Sequence, residues 1–93
     1  MKRTYIFENA YGTFISFLDY EDEGDFKDFV DFVCSGLQLT HSDIIQTPYS
    51  RSAKLKARGG SLFASWSSDA GCHIRIPLEA DLSAIEIVDK LYG

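Results

Sequence analysis

Residues 52–78 read SAKLKARGGSLFASWSSDAGCHIRIPL, and their period is two. Ala53, Leu55 and Ala57 alternate with Lys54, Lys56 and Arg58, which puts small apolar groups on one side of a strand and cations on the other. Gly59-Gly60 is a hairpin signal. Ser61 to Ser67 runs back with Leu62, Ala64 and Trp66 on one face, and Ser68-Asp69-Ala70-Gly71 supplies the next turn. Cys72 to Leu78 then alternates Ile74, Ile76 and Leu78 against His73, Arg75 and Pro77. Three strands joined by tight turns predict an antiparallel meander.

On the N-terminal side, Arg3 to Glu8 and Thr13 to Leu18 are rich in β-branched and aromatic residues, and Asn9 to Gly12 between them predicts a hairpin with a four-residue loop. Both faces of the second strand carry apolar groups, so it is expected to be central or covered. A helix is expected from about Asp25 to Leu37, with Asp25 as N-cap and Gly36 as its stop. Phe26, Phe29, Val30, Val33 and Leu37 fall on its apolar stripe. Leu39 to Tyr49 reads as loop with at most one short strand or turn of helix, ended by Pro48. Asp81 is the expected cap of a last helix with Leu82, Ile85, Val88 and Leu91 on its stripe and Gly93 at its end. The order ββα-βββα predicts an α+β fold: one antiparallel sheet of about five strands with two helices on one face.

A chain of 93 residues is expected to form a single domain spanning 1–93, and 45% apolar with 14% aromatic residues argues against disorder. The start, MKRTYIFENAYG, has no apolar run of signal-peptide length, and no window reaches the roughly 18 apolar residues of a membrane span. The expected setting is therefore cytoplasmic, without a membrane partner. Cys34 and Cys72 read as reduced core residues, because a small oxidised scaffold usually carries more cysteines.

Charge is distributed unevenly. Asp19 to Asp31, DYEDEGDFKDFVD, carries seven carboxylates (Asp19, Glu21, Asp22, Glu23, Asp25, Asp28 and Asp31) against Lys27 alone, hence −6, whereas the whole chain is −5. Phe26, Phe29 and Phe32 interleave with the acids and tie the stretch to a core. Asp19-x-Glu21-x-Glu23-Gly24 resembles the first half of an EF-hand loop, but the twelfth position, which should be a bidentate Glu, is Val30. No metal is expected there. His41, His73, Cys34 and Cys72 show no ligand spacing, and adjacent Cys72 and His73 point to opposite faces of a strand, so both histidines are expected at the surface. No serine sits in a GxSxG elbow. The expectation is a non-enzymatic protein without a cofactor.

Two binding surfaces remain. Arg51, Lys54, Lys56 and Arg58, with Arg75 on a later strand, are candidates for a cationic strip beside Tyr49 and Trp66, as in a small RNA- or phosphate-binding module. The ordinary alternative is that edge-strand cations block aggregation, and the acidic balance argues against nucleic acid as the main partner. The acidic stretch is either plain solubility or a surface for a basic protein, which clustered like charge would attract quickly. In its acidic DYEDEGDFKDFVD stretch and its small size the chain resembles the bacterial immunity proteins that neutralise toxic nucleases, including those of contact-dependent growth inhibition. That resemblance implies one basic protein toxin as partner. Asp19, Glu21, Asp22, Glu23, Asp25, Asp28 and Asp31 would be its contacts, with Tyr20 as an anchor. The chain itself is expected to be a monomer or a weak homodimer pairing through an edge strand.

Overall fold

The computed structural model describes residues 4–93. Strands β1 (Thr4–Asn9) and β2 (Gly12–Phe17) form the first hairpin. Arg3, expected to open the first strand, lies outside the described residues. Asn9 pairs with Gly12, so the loop is the two residues Ala10 and Tyr11 rather than four. Gly12 makes this closure possible: its φ is +134°, and a Cβ there would collide with the Ile76 carbonyl oxygen.

A 3₁₀ turn (Glu23–Asp25) leads into α1 (Phe26–Leu37). Asp25 makes no side-chain cap to α1; its Oδ2 instead accepts from the Asp22 N–H at 3.3 Å, which tightens the turn before the helix. Phe26, Phe29, Val30 and Val33 are buried as the periodicity requires, and Leu37 packs partly buried against them. The helix ends at Leu37 as expected, and Gln38 caps it with a left-handed φ of 56°. Gly36 is therefore not the stop. It lies where α1 crosses the last helix, and a Cβ there would run into Leu91 Cδ2.

The meander forms as β5 (Ser50–Ala57), β6 (Gly60–Ser67) and β7 (Gly71–Ile76). Two short strands precede it, β3 (Thr40–His41) and β4 (Ile45–Gln46), both paired with β5. The sheet thus has seven strands where about five were expected, ordered β1-β2-β7-β6-β5-β3 with β4 also beside β5. The two extra strands are one edge strand broken by a bulge. His41 faces Leu55 and Ile45 faces Ser52, so residues 42–44 oppose only 53 and 54. Ser42 closes the gap: its N–H donates to the Lys54 carbonyl at 2.9 Å, and its Oγ accepts from the Lys54 N–H at 3.0 Å. The bulge resets the alternation, which is why no strand pattern is visible between Leu39 and Tyr49.

Helix α2 (Ala84–Tyr92) is capped by Ser83, whose Oγ accepts from the Glu86 N–H at 3.4 Å. Asp81, the expected cap, lies earlier and donates its N–H to the Gly59 carbonyl at 2.8 Å, tying this segment to the β5–β6 turn. The apolar stripe is Ala84, Ile87, Val88 and Leu91; Ile85, expected on it, is exposed, as is Leu78 beyond the end of β7.

Both helices cover one face of the sheet. Ile15, Phe17, Ala53, Leu55, Leu62, Ala64, Cys72, Ile74 and Ile76 point from the strands into the same core as Phe29, Val30, Val33, Ile87 and Val88. No helix among the described residues is long and apolar enough to cross a membrane.

Candidate functional site

Strand alternation splits the meander into two rows of side chains. On the helix-covered side, at one end of the sheet, Arg51 stands opposite Trp66 and Trp66 opposite Cys72. Each of these three neighbouring strands holds the acidic loop by one contact. Arg51 pairs with the Glu23 carboxylate, the Trp66 indole N–H donates to the Glu21 carbonyl at 2.9 Å, and the Cys72 N–H donates to the Tyr20 carbonyl at 2.9 Å. Gly71, at φ +67°, lets the loop lie directly on the strand; a Cβ there would stand 3.2 Å from Glu21 Cα.

Residues 20–23 are accordingly tied to the sheet. Glu21, Asp22, Glu23, Asp28 and Asp31 are exposed, and Asp25 is half-buried in the 3₁₀ turn. Their proximity registers on neighbouring groups. The Tyr20 hydroxyl is held above its ordinary pKa by burial first, and then by Asp19, Asp28 and Asp25. Burial pushes the Cys72 thiol up to about 12, with Asp25 and Asp22 adding to it, and raises Cys34 with help from Asp31. Both cysteines are free thiols.

Tyr20 is no exposed anchor. Its ring packs against Phe29 at 5.5 Å and Phe32 at 5.4 Å between centroids, so it supports the loop from below. Of the EF-hand-like positions, Val30 is in the core and Glu23 is turned to Arg51. Among the described residues no three His, Cys, Asp or Glu are grouped to share a metal ion.

The five cations proposed as one strip are divided. Arg51 lies on the helix side, paired with Glu23; Arg58 sits in the β5–β6 turn. Lys54, Lys56 and Arg75 do share the opposite, uncovered face of the sheet. Trp66 and Tyr49 are not beside them: Trp66 points to the helix side, and Tyr49 is an exposed residue of the β4–β5 turn.

The uncovered face carries aromatic residues that sequence reasoning did not assign to any site. The register sets Phe7 opposite Phe14, Phe14 opposite Arg75, Arg75 opposite Phe63, and Phe63 opposite Lys54. Phe7 and Phe14 stack at 5.0 Å with ring planes 4° apart, and the Arg75 guanidinium lies 4.6 Å above the Phe63 ring. Arg75 also donates to the Tyr11 carbonyl at 3.2 Å. His73 lies on this face too, half-buried rather than at the open surface, with burial lowering its pKa. The signal was present in the sequence as Phe14 and Phe63, each next to a core residue, and as Phe7 on the exposed strand β1, but only the register aligns them.

A cleft of about 570 Å³ opens between the end of α1, the β5–β6 turn and α2, floored by Leu37, Leu62, Leu82 and Ile87. Comparison of the chain with protein-family models, with curated proteins and with solved structures gives no match in any of the three.

Proposed function

We propose that this chain is a non-enzymatic binding protein of the immunity type, which acts in the cytoplasm and neutralises a basic, nuclease-like toxin through its acidic loop and first helix. The observation that supports this most is the three-strand anchorage of residues 20–23 by Arg51, Trp66 and Cys72. Solubility alone does not require such anchorage, since charges on a mobile loop solvate equally well. Like charges held close together repel one another, and a cationic partner relieves that repulsion without ordering a loop as it binds. The proposed contacts are the exposed Glu21, Asp22, Asp28 and Asp31, with exposed Asp19, Arg51-paired Glu23 and half-buried Asp25 contributing to the field.

The test starts from capture of a partner from host extract by the immobilised chain at low salt, followed by purification of that partner. Its association rate is then measured against the chain and against a variant carrying Glu21→Gln, Asp22→Asn, Asp28→Asn and Asp31→Asn. The expected result is a rate that falls about ten-fold or more in the variant and declines steeply with salt, with one-to-one inhibition of the partner's activity. Equal rates and equal affinity for the two chains would make the acidic face bystander surface.

A further inference from the structure

A second surface, independent of the acidic one, lies on the other side of the sheet. The row Phe7–Phe14–Arg75–Phe63–Lys54 crosses five adjacent strands, with Lys56 one outward position along from Lys54. At the usual strand spacing the row is about 19 Å long. Phe7 is 39% exposed, Phe14 and Phe63 are half-exposed, and Lys54 and Lys56 are fully at the surface. Among the described residues, no Asp or Glu occupies an outward position on any strand of this face, although the chain carries fourteen acids. A protein of net charge −5 therefore presents one flat side that is cationic and aromatic.

We infer that this open sheet face binds single-stranded nucleic acid, with bases stacking on the faces that the Phe7–Phe14 pair and the Arg75–Phe63 pair leave free and phosphates meeting Lys54 and Lys56. Charge decides the class of occupant: a polyanion is attracted by this side and repelled by the acidic one, which fixes its orientation on the molecule. Aromatic rings decide the strandedness. Bases in a duplex are already stacked on one another and offer no free π-face, whereas unpaired bases do. The stacked Phe7–Phe14 pair and the Arg75–Phe63 pair are formed in the free protein, so little side-chain ordering remains for the binding step.

The experiment is a fluorescence-anisotropy titration of the full chain against labelled dT12, U12 and the dT12·dA12 duplex over a range of salt concentrations. The expected result is micromolar binding of dT12 or U12 at low salt, at least ten-fold weaker binding of the duplex, and a preference between the two single strands that identifies DNA or RNA. Phe7→Leu with Phe14→Leu keeps apolar volume and removes the rings, and should weaken binding about ten-fold with an unchanged melting temperature. Lys54→Gln with Lys56→Gln should lower the salt slope by about 1.4, roughly 0.7 for each phosphate no longer neutralised. The inference is overturned by any one of three results: no retention of either single strand, equal binding of duplex, or phenylalanine variants that bind as the parent does. It is also overturned if the phenylalanine variants act only by dissolving a dimer seen in sedimentation, which would make the occupant a second copy.

Discussion

The two faces of the meander are built from the same three strands, one residue apart. Arg51, Trp66 and Cys72 turn inward and are consumed by the protein's own acidic loop, as ion partner, indole donor and backbone donor. Lys54, Phe63 and Arg75 turn outward, Lys54 exposed and the other two half-exposed. A cation and an aromatic residue appear in both rows, so composition does not distinguish them. What distinguishes them is parity along the strand, which decides whether a side chain stabilises the fold or is left to meet something else.

The sharpest way to break this comparison is to truncate a phenylalanine on each side. Phe29→Ala removes a fully buried ring at the centre of the core and is expected to cost about 3–5 kcal/mol in urea unfolding. Phe7→Ala, on the uncovered face, should cost about 1 kcal/mol or less. Similar costs for both would mean that the outward row is part of the core.

Next in size is Gly71→Ala. The left-handed φ of +67° and the close approach of Glu21 Cα both oppose a Cβ, so a loss of about 1–2 kcal/mol is expected, with the acidic loop displaced. Trp66→Phe deletes one donor and should cost about 1 kcal/mol, with faster amide exchange confined to residues 20–25. Uniform effects over the whole sheet would show that loop and sheet are not separable in this way.

The smallest effect is on the outward side and depends on pH. Burial lowers the His73 pKa below 6.5, so the native state resists taking up a proton that the unfolded chain accepts. Stability should therefore be indifferent to this residue above pH 6.5, and should fall as pH drops from 6.5 toward the lower native value. His73→Gln should remove that part of the slope, and an NMR titration gives the native value directly. On the inward side, a Cys72 thiol raised to about 12 should resist alkylation at pH 8 until denaturant is added.

Much of this division is legible in the sequence, and the reason is period. The alternation from Ala53 to Ile76 specifies the meander and its core face, and the stripe from Phe26 to Val33 specifies α1. Legibility fails where local geometry interrupts the period. The bulge at residues 42–44 hides the edge strand, and α2 is capped by Ser83, two residues after the expected Asp81, with Ile87 rather than Ile85 on its buried face. Gly36 shows a different failure: a glycine near a helix end suggests termination, but this one gives Leu91 room to pack. For the surfaces, the acidic stretch is visible as composition. Its anchorage is not, because Arg51, Trp66 and Cys72 are brought to the loop only by strand pairing. The same holds for the outward row, whose members are scattered from Phe7 to Arg75.

The central claim is that the acidic loop is a fixed part of the fold and not a solvated tether. Native-state hydrogen exchange of the Trp66 indole N–H, followed against urea, tests it most directly. Exchange only through global unfolding, with the denaturant dependence of the core amides, is the predicted result. Exchange at the rate of an exposed indole, insensitive to urea while the sheet amides stay protected, would contradict it.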